Sequence, residues 1–86
     1  MRKLDTTGTV TSITFPGVGP SPALRVNLRT DDGPLMLTFL GRRDLRCVEI
    51  GSRLHVAGTL SSHRGVATVF NPDYLVIPAL EGGING

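Results

Sequence analysis

Eight of the nine basic residues in this chain are arginines, and they fall into distinct groups. Arg25 and Arg29 flank Asn27 at alternate positions, Arg42, Arg43 and Arg46 crowd one stretch, and Arg64 stands beside Gly65. A guanidinium is planar and permanently charged, with forked donors for phosphate and a flat face for a base. Two residues of extended strand span about 7 Å, so Arg25, Asn27 and Arg29 make a polar row able to follow successive phosphates. The plain alternative is the solvated side of a half-buried strand. Thr38, expected outward on the neighbouring strand, joins the candidate face. Arg42 and Arg46 would share a side if their segment were helical, whereas the bland reading of Arg42, Arg43 and Arg46 is a solubilising cluster. Arg64 occupies an exposed turn, where a side chain reaches a ligand easily.

Other chemistries find few residues to carry them. Cys47 is the only cysteine, so it has no internal disulfide partner, and a reducing, cytoplasmic setting is expected. Neither His55 nor His63 has companions at metal-ligand spacing, and no metal or cofactor is expected. Nothing in the sequence places either histidine beside Cys47 as the base of a nucleophilic pair. Asp31 and Asp32 precede Gly33-Pro34 and read as turn formers. No phosphate loop of the Walker pattern occurs, and the prolines of Pro16–Pro22 remove backbone donors that such a cradle needs. The chain is therefore read as a binding protein and not an enzyme. Its net charge of +2 is mild. It has no Trp, and with Phe39 assigned to the core only Phe15, Phe70 and Tyr74 remain as stacking platforms. Binding to a single strand should then be modest and sensitive to salt.

The elements that must position these residues are strands. Gly8–Phe15 is rich in β-branched residues, but its apolar positions Val10, Ile13 and Phe15 break strict alternation, which a bulge or a change of face near Ser12 would reconcile. Ala23–Arg29 alternates cleanly with Leu24, Val26 and Leu28 inward, and Leu35–Leu40 does so with Leu35, Leu37 and Phe39 inward. These two read as a hairpin. Between Gly41 and Gly51 the alternation stops, and Leu45, Val48 and Ile50 are expected to cover one end of the fold from a short helical turn or ordered loop. Arg53–Leu60 and Val66–Phe70 follow as strands around the turn Ser61–Gly65, and Asn71-Pro72 ends the second of them. Tyr74–Ile77 resumes an extended apolar run. Residues 1–6 are expected as an N-terminal arm, 7–77 as one domain and 78–86 as a flexible tail. No apolar stretch approaches the roughly 20 residues of a membrane-spanning helix, and no apolar segment follows the basic start to suggest a leader.

Three strands, a connecting segment and two more strands is the layout of a five-stranded Greek-key OB-fold barrel, an all-β fold. An SH3-like barrel is the alternative. Gly8-Thr9-Val10, Leu35–Leu40, Ile50-Gly51, Val56-Ala57-Gly58-Thr59 and Phe70-Asn71-Pro72-Asp73-Tyr74 together resemble small stand-alone OB-fold nucleic-acid-binding proteins of actinobacteria. More distantly they are similar to the OB wedge domain of RecG-type DNA helicases. The resemblance runs from about Thr7 to Ile77, and its most specific piece is the Asn-Pro-x-Tyr ending. It implies binding of single-stranded or branched DNA, with DNA favoured over RNA, but it does not carry over unwinding, because no helicase motor is present. The expected face is that of the second and third strands with the flanking loops. The rival reading is a protein-interaction module, a homodimer or a piece that docks onto a larger DNA-processing protein through Val18, Met36, Leu40 and the Tyr74–Ile77 run.

Overall fold

The computed structural model describes residues 2–17, 23–42, 45 and 47–78. Six strands follow one another: β1 Arg2–Thr14, β2 Ala23–Thr30, β3 Gly33–Leu40, β4 Arg53–His63, β5 Val66–Phe70 and β6 Asp73–Ile77. Their order in the sheet is β1-β2-β3-β5-β4-β6, and an additional β1–β4 pairing closes the first five into a ring. The β3–β5 contact is parallel, while every other pairing is antiparallel. Among the described residues there is no helix. The helical option for the segment between β3 and β4 is therefore not seen.

Closure depends on β1, which serves two neighbours in turn. Residues Arg2 to Thr9 lie opposite β4, and Gly8 to Thr14 lie opposite β2. The register against β2 shifts between Val10 and Ser12, so of the two ways to reconcile the broken alternation the strand takes the bulge. Residues 2–6, expected as an arm, are instead paired strand, with Arg2 opposite Leu60 and Thr6 opposite Val56. Polar Lys3 and Asp5 mask the strand in the sequence, while Leu4 packs against the core.

The ring encloses one apolar cluster. Leu24, Val26, Leu37, Leu54, Val56 and Val69 are fully buried at its centre, with Phe39 2% exposed. Leu45 from the connecting segment is 7% exposed and joins the same cluster, and Val48 packs against it. Ile50, expected beside them, is instead 69% exposed. The segment is tied to the bulge by backbone bonds: the Val10 N–H donates to the Ser52 carbonyl, and the Gly51 N–H to the Val10 carbonyl, both at 2.8 Å. Those bonds hold the Gly51 end of the segment against β1, leaving Leu45 and Val48 to fill the opening.

Turn chemistry sets the two hairpins. The β2–β3 turn is organised by Thr30, whose hydroxyl accepts from the Asp32 N–H at 3.1 Å and donates to the Gly33 carbonyl at 2.8 Å. Asp31 and Asp32 occupy the turn itself, as turn formers, but the side-chain bonds that close it come from Thr30. In the β4–β5 hairpin, β4 continues past Leu60 to His63, so the turn is only Arg64-Gly65, at φ 54° and 78°. Positive φ at both central residues is the type I′ turn, whose twist matches that of paired strands.

Candidate functional site

The outer surface of the ring is built in rows fixed by strand register. Arg25 stands between Thr14 of β1 and Thr38 of β3, and Thr38 lies in turn beside Phe70 of β5. The next row runs Ser12, Asn27, Met36, Thr68 and Ser61. At the far end of the β4–β5 hairpin, His63 pairs with Val66 next to the Arg64 turn. These rows border an open cleft of about 290 Å³ lined by Arg25, Met36, Thr38, His63, Arg64, Val66 and Thr68. A hollow of this size and openness suits part of a chain lying across the surface better than an enclosed small molecule.

The floor of the cleft is polar yet buried. Thr68 is 2% exposed, and its hydroxyl donates to the Val66 carbonyl at 2.9 Å. Beside it, the Ser61 hydroxyl donates to the Thr68 carbonyl at 3.2 Å. Thr38 is 4% exposed, although alternation had placed it outward and open. It does face outward, but β2 and β5 flank it with the longer side chains of Arg25 and Phe70. Its hydroxyl has no hydrogen-bond partner among the described residues, an uncommon state for a buried polar group.

The rim carries charge and a little aromatic surface. Arg25 and Arg64 are exposed, and neither has an ion-pair partner among the described residues. Among the described residues no carboxylate lines the cleft. His63 meets Phe70 edge to face, with ring centroids 6.2 Å apart, and Phe70 remains 44% exposed.

Three of the residues singled out from the sequence, Arg25, Thr38 and Arg64, thus come together. Asn27 shares the strand but is half-buried, and its amide donates to the Ser12 hydroxyl at 2.8 Å, fastening the bulged part of β1. Arg29 lies further along β2, in a second cleft with Arg53. Arg42 sits apart, its guanidinium 5.9 Å from the centroid of the Phe39 ring. Arg43 and Arg46 lie outside the described residues. Of the other residues around the cleft, Phe70 is a stacking candidate and Met36 a docking candidate in the sequence, whereas His63 and Val66 are not singled out there. The signal for His63 and Val66 was the Arg64-Gly65 pair, which marks a two-residue turn and hence a longer β4.

His55, on an outward position of β4, pairs through Nε2 with the Asp5 carboxylate across β1 and β4. Among the described residues no group of three His, Cys, Asp or Glu side chains is placed to hold a metal ion. A further hollow beside Lys3 and Ala57 includes both Asp5 and Asp73, so it offers no net positive charge. No helix among the described residues is long and apolar enough to cross a membrane. No family model, no curated protein and no solved structure matches the chain.

Proposed function

We propose that this chain is a non-catalytic nucleic-acid-binding protein of the OB type, which holds single-stranded or branched DNA across β2, β3 and the β4–β5 hairpin. The observation that carries the reading is the cleft itself. Two arginines and a buried hydroxyl, none with a partner among the described residues, converge on a surface to which no described carboxylate contributes. Arg25 and Arg64 supply charge for phosphates, while Met36, Val66 and the open face of Phe70 supply apolar surface for a base. The strand order, with β1 shared between β2 and β4 and β3 running parallel to β5, agrees with a five-stranded Greek-key barrel of the OB kind. In such folds the β2–β3 face and the loop between β4 and β5 are the usual seat of single strands. Scarcity of aromatics at the cleft means that charge contributes more than stacking. DNA is favoured over RNA on the strength of the sequence resemblance, and a reducing, cytoplasmic setting fits the lone Cys47.

Fluorescence anisotropy tests the reading, with labelled single-stranded, duplex and forked DNA and single-stranded RNA at low and near-physiological salt. Binding to single-stranded or forked DNA that weakens with salt is the expected result. No binding to any probe at tens of micromolar protein in low salt would overturn it. In that case the exposed Leu40, Val66 and Phe70 around the same face favour the second reading, docking of an apolar protein segment.

A further inference from the structure

Thr9 of β1 is opposed by Arg29 of β2 on one side and by Arg53 of β4 on the other. Strand spacing sets the two arginine backbones about 10 Å apart, so long side chains can converge over Thr9. Both arginines are exposed, and they border a cleft of about 410 Å³ where β2 turns away from β1. Its walls are otherwise Thr6, Thr7, Gly8, Thr9, Thr30 and Asp31. The Thr30 hydroxyl is used by the turn, but those of Thr6, Thr7 and Thr9 make no hydrogen bond among the described residues. Asp31 forms no ion pair with either arginine. Two like charges sharing one polar cleft, with spare donors between them, are relieved by an oxyanion that accepts from both sides.

We infer that this cleft is a phosphate subsite in which Arg29 and Arg53 grip one phosphate group from either side of Thr9. Its ligand rests on the nucleic-acid reading: the group is a phosphodiester of the strand that also occupies the Arg25 cleft. Arg25 and Arg29 are about 13 Å apart along β2, with Asn27 and Ser12 forming a polar bridge between the clefts. One strand of the length usual for a single OB fold, about 4–16 nucleotides, spans that path. Arg53 then becomes a binding residue at the far end of the interface, on β4.

The test compares wild type, Arg53→Gln and Arg25→Gln on oligothymidylates of four and twelve nucleotides, with a separate NMR titration of tripolyphosphate. Both side chains are exposed and have no ion-pair partner among the described residues, so unchanged thermal midpoints serve as the control for folding. On the longer strand each variant is expected to bind on the order of fivefold more weakly, with a salt slope shallower by about 0.7. On the short strand, whose four nucleotides already span that path, both variants weaken binding as well. Tripolyphosphate should shift the Thr9 amide in wild type and not in Arg53→Gln. If Arg53→Gln binds the longer strand as wild type does while Arg25→Gln does not, the subsite is overturned and the first cleft stands. If wild type binds no oligonucleotide yet tripolyphosphate saturably shifts Thr9, the subsite holds for free phosphate and the nucleic-acid reading is overturned. Silence in both titrations overturns both.

Discussion

Replacing Thr38 with valine should stabilise the free protein and weaken its binding at the same time. Thr38 is 4% exposed, and its hydroxyl lacks a partner among the described residues. A buried hydroxyl left unsatisfied costs about 1–3 kcal/mol. Valine keeps the β-branch that suits a strand and replaces the hydroxyl with a methyl group, so no cavity opens. The site borders an open cleft, so the lower end of that range applies, and a gain of about 1 kcal/mol is expected. In a domain of this size that gain raises the thermal midpoint by about 4–8 °C. The same change deletes the hydrogen-bonding group that a ligand in the cleft would use. One neutral hydrogen bond is worth about 0.5–1.5 kcal/mol, so affinity for single-stranded DNA should fall roughly two- to tenfold. Circular-dichroism melting and fluorescence anisotropy on the same preparation read both effects. A midpoint lowered by several degrees would mean that the hydroxyl is satisfied in the free protein, and an unchanged affinity would mean that no ligand reads it. Either result refutes the argument.

Substitutions at Asn71, at Gly58 with its neighbour Val69, and at the two cleft arginines probe separate links. Asn71 adopts φ 49°, donates its N–H to the Thr38 carbonyl at 2.7 Å and accepts from the Leu40 N–H through its side chain at 2.8 Å. Asn71→Gly should therefore cost about 1 kcal/mol for the side-chain bond and Asn71→Ala about another 1 kcal/mol for the left-handed backbone, an ordering that urea unfolding checks. Equal losses would show that the φ is not what selects asparagine. A Cβ at Gly58 would lie 2.6 Å from Val69 Cγ1 in the core, so Gly58→Ala should cost about 1–3 kcal/mol and be partly rescued by Val69→Ala in a double-mutant cycle. Simple additivity of the two would contradict the clash. Arg25→Ala and Arg64→Ala should each change stability by less than about 0.5 kcal/mol while making the salt slope of DNA binding shallower by about 0.7. A melting point that drops sharply in either variant would recast that arginine as structural.

Which features were legible in the sequence follows from how local their causes are. The β2–β3 hairpin could be read because Leu24, Val26, Leu28, Leu35, Leu37 and Phe39 keep period two across a two-residue turn, and all six are buried. The bulge was legible because Val10 and Ile13 are three apart and both turn towards the core. The N-terminal half of β1 was not, because its partner β4 lies some fifty residues away and its own alternation is blurred by Lys3 and Asp5. Burial of Thr38 was hidden for a related reason. Its cover comes from β5, a parallel neighbour that no short-range pattern announces. The site divides along the same line: Arg25 and Arg29 follow from the period of β2, whereas the meeting of Arg25 with Arg64, and of Arg29 with Arg53, depends on how the ring closes.

The most direct test of the account is an NMR titration of the labelled protein with a twelve-nucleotide oligothymidylate at low salt, following every backbone amide. Saturable shifts centred on Arg25, Met36, Thr38 and the His63–Val66 hairpin are expected, reversed by added salt, with little change around Ala57 and Asp73. Absence of shifts, or shifts centred on β6 and its surroundings, would contradict it.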